Sequence, residues 1–151
     1  MPELTFMMGK FAAVLPGDVR YCKNHMWCRA NADGGCRFGF TSYAIRLMQD
    51  VYFLDWSVNV GDFLALKQQI GNIETSKAVS DLFAPMAGKL TAINQELLKD
   101  PSGINVDGYG TGWLFELTGG AGETLDVQAY HDHLASGWDN TQRILKGQMG
   151  E

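Results

Sequence analysis

A mainly β fold, a barrel or sandwich with short helices and a C-terminal helical extension, follows from three features of this 151-residue sequence. Glycines recur at short intervals through the middle of the chain, at Gly34-Gly35, Gly39, Gly61, Gly71, Gly88, Gly103, Gly108, Gly110 and Gly112. The segments between them are short and rich in β-branched and aromatic residues, which suits many short strands rather than a βαβ fold. The last stretch of the chain changes to a helical composition. With 46% hydrophobic residues the chain can bury a core without staples, and its length favours one domain of ordinary size.

Residues 1–18 read as an N-terminal extension. Phe6, Met7, Met8, Phe11 and Val14 make it apolar in places, as expected of a segment packed on the domain. A secretory signal carries its positive charge ahead of the apolar run; here Glu3 comes first and Lys10 falls in the middle, so none is read. Residues 19–118 hold the β segments, clearest at 36–41, 50–54 and 113–117. Residues 41–48 read as a helix opened by a Thr or Ser cap, running through Tyr43, Ala44 and Leu47. Residues 94–99 read as a second short helix, closed at Asp100-Pro101 because proline disfavours helix in the residue before it. Residues 119–151 read as a linker and helical tail. Gly119-Gly120-Ala121-Gly122 is expected to be a flexible break, and 123–146 one or two helices. Leu125, Ala129, Leu134, Thr141 and Leu145 give that tail an imperfect stripe, weakened by Gly137.

Charge and composition exclude some functions. Net charge is −5, with 12 basic against 17 acidic residues, so no cationic surplus exists to neutralise phosphates and nucleic acid is not an expected partner. No run approaches a membrane-spanning helix, so no membrane is expected either. Three cysteines, Cys22, Cys28 and Cys36, make an odd count, which points to a reducing, cytoplasmic setting. They form no C-x-x-C pair and fit no zinc spacing, so they read as small hydrophobes rather than ligands. His131 and His133 lie two apart and would not share a helix face, so they read as solvated tail residues and no metal is expected.

The informative stretch is Ile73-Glu74-Thr75-Ser76-Lys77-Ala78-Val79-Ser80-Asp81-Leu82-Phe83-Ala84-Pro85-Met86-Ala87-Gly88. Lys77 lies among polar Thr75, Ser76 and Ser80, with apolar segments on both sides. That pattern places it at an exposed bend between two strands, where a modifying enzyme can reach its amine. Acylation there would remove one charge and add a long apolar arm, while Glu74 and Asp81 keep the rim acidic. By periodicity alone a plain surface lysine accounts for the same pattern.

This segment resembles the lipoylation site of glycine cleavage system H proteins, roughly E-S-V-K-A-x-S-D-L-Y-A-P-x-x-G. Glu74, Lys77, Ala78, Ser80, Asp81, Leu82, Ala84, Pro85 and Gly88 match at the right spacing, and Phe83 stands for the tyrosine. Tyr21 to Trp27 resembles Y-x-K-x-H-E-W, Gly39 to Ala44 resembles G-I-T-D-Y-A, and Val60-Gly61-Asp62 a family turn. Asn94 to Leu97, Asp100-Pro101, Ile104-Asn105 and Gly112-Trp113-Leu114 follow in the family's order. Biotin carriers flank their lysine with methionines; here the neighbours are Ser76 and Ala78.

The resemblance implies a lipoyl/biotinyl-type barrel-sandwich hybrid, and lipoic acid covalently attached to Lys77 by a lipoyl ligase or lipoyl transferase. It implies a non-catalytic carrier shuttling an aminomethyl intermediate and reducing equivalents on a swinging arm. The expected partners are glycine decarboxylase, aminomethyltransferase and dihydrolipoyl dehydrogenase. Glu74, His25, Ser80 and Asp81 join Lys77 as cofactor-binding candidates, His25 matching a family histidine near the docked arm. A structural histidine at a strand entrance, and simple turn chemistry for Ser80 and Asp81, are the plainer accounts. Asn105 reads as a polar anchor in a turn and Trp113 as a core aromatic.

Departures bear on the pathway. Met26 replaces the glutamate of H-E-W, Met48-Gln49-Asp50 replaces L-G-D, Asp55 to Asn59 replaces the usual L-P-E-x stretch, Thr75-Ser76 replaces Ser-Val, and the tail is longer. An exposed Met26 or Trp56 would be an anchor for another partner; core filling is the plainer account. The alternative is a lipoate-binding carrier of sulfur intermediates working with a heterodisulfide-reductase-like sulfur oxidation complex. A non-lipoylated interaction module and a Schiff-base enzyme using Lys77 are further alternatives. The last is disfavoured because an activated lysine needs desolvation or a neighbouring cation.

Overall fold

The computed structural model describes residues 1–148. In chain order the elements are β1 (Leu4–Met8), β2 (Phe11–Leu15), β3 (Arg20–Tyr21), β4 (Met26–Ala30) and β5 (Cys36–Phe40), followed by α1 (Ser42–Met48). Next come β6 (Val51–Trp56), β7 (Phe63–Leu64), β8 (Gln69–Thr75), β9 (Val79–Phe83) and β10 (Ala87–Ile93). The chain continues through α2 (Gln95–Lys99), α3 (Gly103–Val106), β11 (Phe115–Ala121) and α4 (Val127–Gln148). The mainly β fold with short helices and a long C-terminal helix is the expected one. Among the described residues, no helix is long and apolar enough to cross a membrane.

Three antiparallel sheets carry these strands: a β1-β2 hairpin, a six-stranded sheet in the order β3-β4-β5-β11-β10-β7, and a three-stranded sheet in the order β6-β8-β9. Alternation along the strands turns one face of each larger sheet inward. Phe38, Phe40, Leu90 and Phe115 from the six-stranded sheet meet Leu54, Ile70, Ile73 and Leu82 from the other in one dry core. Gly71 allows β6 and β8 to close up, because a Cβ there would collide with the Asp55 carbonyl oxygen.

The short helices begin where their capping residues allow. The Thr41 hydroxyl accepts the Ala44 N–H at 3.2 Å, and the Asn94 side chain accepts the Glu96 N–H at 3.2 Å. Asn105 is the expected anchor: its side chain accepts from the Val51 N–H at 3.0 Å and donates to the Gln49 carbonyl at 2.7 Å. Trp113 is half-buried rather than fully enclosed, with the Arg37 guanidinium 4.2 Å above its ring.

One expectation for the tail is corrected. The glycine run is not a break: β11 continues through it and pairs Ala87 with Ala121, Gly119 taking φ +65°. Of the one or two helices expected after it there is one, begun at Val127 rather than 123, with Asp126 accepting the Ala129 N–H at 2.8 Å. Gly137 costs it little packing, since a Cβ there would meet nothing within 4 Å. The side chain of Leu145 lies outside the described ones.

Tail and N-terminus meet. The β1-β2 hairpin turns at Gly9, φ +65°, and buries Phe6, Met8, Ala13 and Leu15. These pack with Val127, Tyr130 and Leu134 of α4 and with Tyr21, Trp27 and Tyr43 in a second core beside the first. Met26, at 2% exposure, fills the first core, and Trp56 is half-buried against Phe115 at 5.7 Å, so neither is an exposed anchor.

Candidate functional site

The turn 75–78 joins β8 to β9, and its short polar groups are all used. Thr75 N–H donates to the Ala78 carbonyl at 3.0 Å, and the Thr75 hydroxyl accepts from the Lys77 and Ala78 N–H groups at 3.2 and 3.4 Å. Ser76 ties the turn to the end of α1: its N–H donates to the Asp50 carbonyl at 2.9 Å, and its hydroxyl accepts the Asp50 N–H at 3.3 Å. A valine at position 76, as in the family pattern, could not make the second bond. The backbone of the turn is thereby pinned while the Lys77 side chain stands exposed. It enters no ion pair among the described residues.

Strand register then distributes the neighbours. Glu74 is exposed between Phe53 and Val79, both exposed hydrophobics; Asp81 is exposed opposite Asn72, and Ser80 opposite Ile73. The exposed Glu74 and Val79, paired at the base of the turn, thus flank the lysine with one acidic and one apolar side chain.

His25 arrives from the turn between β3 and β4. Its backbone sits at φ 70°, a left-handed conformation rare for a residue with a side chain, held by the His25 N–H donating to Cys22 at 3.0 Å and the His25 carbonyl accepting from Thr41 at 3.1 Å. Asn24 donates to the Phe83 carbonyl at 3.3 Å and so holds this turn against β9. The His25 ring is half-buried, 4.9 Å from the Tyr43 ring, with Nδ1 3.0 Å from the Tyr130 hydroxyl. Burial, and then the nearby His133, push its pKa down to about 4, so at neutral pH the imidazole is uncharged.

A groove of about 210 Å³ runs between these parts, with His25, Ser80 and Asp81 on its wall and Met26, Leu47 and Phe83 making it largely apolar. The fold thus gathers three of the residues singled out in the sequence. Glu74 stands apart on the outer face, and Lys77 lies one turn beyond Ser80, at the end of the strand that walls the groove. An uncommitted amine beside an apolar groove fits a long apolar arm in amide linkage. Among the described residues no cluster of His, Cys, Asp or Glu is arranged to hold a metal.

The cysteines pack as small hydrophobes. Cys22 and Cys28 are buried and Cys36 is half-buried. The Cys22 thiol is pushed up by its hydrogen bond with Cys28 and by burial, and that of Cys36 by burial.

The histidines of the tail are not solvated residues. His131 packs on Phe6 at 5.5 Å and His133 on His25 at 5.9 Å, which takes them to different neighbours. Tyr130, whose hydroxyl touches both His25 and Thr41, is absent from the sequence-based candidates. Its signal was present in the spacing of Val127, Tyr130 and Leu134, one helical face aimed at a core.

Comparison with known proteins gives a consistent set. Residues 19–135 match the family model described as Glycine cleavage H-protein. The chain is 36% identical over 128 residues to the glycine cleavage system H protein of Mycolicibacterium vanbaalenii, covering 80% of this chain and 97% of that one. It is 40% identical over 125 residues to the H protein of Mycobacteroides abscessus, covering 82% and 94%. The crystal structure of a glycine cleavage system H protein from Mycobacterium marinum superposes with TM-score 0.69 at 32% identity, covering 80% of this chain and 97% of that one.

Proposed function

The chain belongs to the glycine cleavage H-protein family, and from that premise we propose that Lys77 carries its lipoyl group in amide linkage. Its role is that of a lipoyl carrier in the glycine cleavage system. The observation that carries the assignment to Lys77 is an exposed amine in no ion pair among the described residues, on a turn whose backbone N–H groups are all hydrogen-bonded. The bound dithiolane would supply the chemistry, accepting an aminomethyl unit and reducing equivalents. The protein supplies proximity and shelter, since a tethered reactant meets each enzyme locally.

Each residue has a role in that reading. Glu74 and Asp81 keep the rim acidic once the Lys77 charge is lost, a surface for the lipoyl ligase or transferase. Asp81, Ser80 and neutral His25 line the groove in which the arm's end is sheltered, with polar atoms on an otherwise apolar wall. The successive partners are glycine decarboxylase, aminomethyltransferase and dihydrolipoyl dehydrogenase, met in the cytoplasm, and the protein itself is no enzyme. The relatives described above carry the glycine cleavage name, which leaves the sulfur-carrier alternative without support.

Intact-mass measurement of the chain from a lipoylating host tests this. One lipoyl increment is expected, and Lys77→Arg removes it while shifting stability by less than about 0.5 kcal/mol, as for an exposed turn. An unmodified wild-type chain beside an active ligase, or an increment that persists in Lys77→Arg, would end the assignment.

A further inference from the structure

The contact between α4 and His25 fixes more than the position of the ring. The Thr41 hydroxyl is fully buried and accepts the Ala44 N–H at 3.2 Å, and its oxygen lies 3.0 Å from the Tyr130 oxygen. Tyr130, also fully buried, lies 3.0 Å from His25 Nδ1. Two directions of donation run as a chain through Tyr130; a third, in which Nδ1–H and Thr41 both donate to it, leaves the Tyr130 hydrogen without an acceptor among the described residues. In one, Nδ1–H donates to Tyr130 and Tyr130 donates to Thr41. The Thr41 hydrogen then has no acceptor among the described residues, in a place water does not reach. In the other, Thr41 donates to Tyr130 and Tyr130 donates to Nδ1, and every hydroxyl hydrogen is used.

We propose that Tyr130 is a positioning residue that sets the tautomer of His25: the relay from Thr41 through Tyr130 to Nδ1 leaves the hydrogen on Nε2, the ring nitrogen with no partner among the described residues, on a ring that lines the groove. His25 then offers the groove a donor and not an acceptor. The cargo it suits is a group with a free electron pair, an amine in its neutral form or a sulfur, rather than an ammonium ion.

That has a chemical consequence, which rests on the carrier reading above. An amine and a sulfur sharing one carbon part when the nitrogen pair moves into the C–N bond. The C–S bond breaks, sulfur leaves as thiolate, and water adds to the resulting iminium to give formaldehyde, ammonia and the free thiol. A donor engaging the nitrogen pair opposes that movement. Tyr130 would thus protect the cargo without touching it, by keeping the hydrogen of His25 on Nε2.

The test has two readouts. Ring-nitrogen NMR of the unmodified full chain at neutral pH, with His25 assigned by its loss in His25→Gln, should show a single Nε2–H form. In Tyr130→Phe, which keeps the ring stacked 4.4 Å from Tyr21, the two nitrogen shifts should move toward each other as Nδ1–H becomes populated. Thr41→Ser should keep the wild-type pattern. An Nδ1–H form in the wild type, or no change in Tyr130→Phe, overturns the proposal. In the second readout the reduced, lipoylated chain is loaded with formaldehyde and ammonia. Tyr130→Phe should release ammonia about fivefold faster, the weight of one ordinary hydrogen bond, and equal rates overturn the protective role. Failure of the carrier reading is separate, for it shows as a chain that takes no lipoyl group while the tautomer is still read.

Discussion

His25 is held neutral because its ring is largely withdrawn from water, and that has a consequence for stability in acid. Its pKa falls from an ordinary 6.5 to about 4 in the fold. Below pH 6.5 the unfolded chain takes up a proton that the folded chain refuses until about pH 4. The stability present above 6.5 is therefore lost as pH falls through that window, and each unit of difference is worth about 1.4 kcal/mol. Melting temperature should fall between pH 6.5 and 4, and less steeply in His25→Gln; parallel profiles would show that the ring is not kept neutral. The residue was legible through its place in Tyr21-Cys22-Lys23-Asn24-His25-Met26-Trp27. Its partners were not, since Thr41, Tyr130 and His133 approach it from two distant helices. Met26 shows the opposite limit. Exposure is decided by which face of β4 meets the core, and the residue replacing a family glutamate is buried at 2%.

At the scale of the element, β8 and β9 owe their function to close pairing. The Lys77 turn is only as well placed as the register beneath it, from Glu74 against Val79 to Gln69 against Phe83. Gly71 lets β6 approach β8, and a Cβ would strike the backbone of Asp55 rather than a movable side chain. Gly71→Ala should destabilise the chain by about 1–3 kcal/mol, as overpacking does, readable as a lowered denaturation midpoint. An unchanged midpoint would mean that β6 yields at no cost. The strands and short helices with local signals were legible: α1 and α2 carry their capping Thr41 and Asn94 in the sequence. The run Gly119 to Gly122 misled because glycine marks both mobile linkers and strands, and only pairing with β10 distinguishes them.

Across the whole molecule two cores share one scaffold, and they serve different ends. The first lies between the larger sheets and sets the Lys77 hairpin. The second, between the β1-β2 hairpin and α4, presses Tyr130 onto His25. Its hairpin precedes the residues that match the family, 19–135, as the last part of α4 follows them. Phe6 joins the two, lying 5.9 Å from Tyr43, 5.5 Å from His131 and 5.6 Å from Trp138. Phe6→Ala should cost about 3–5 kcal/mol at that interface. Hydrogen exchange should then rise in α4 and β1 while β8 and β9 stay protected. Equal deprotection everywhere would show a single cooperative core.

What the sequence alone determined was local: the alternation and turn chemistry that make strands, the caps that start α1 and α2, and the ordered motif around Lys77. These signals span a few residues, so a linear reading recovers them. What only the tertiary structure decided was nonlocal: the strand through Gly119, the burial of Met26, and the meeting of Thr41, Tyr130 and His133 at His25. Burial and hydrogen-bond partners depend on which surfaces the closed chain brings together, and no short window of residues contains that information.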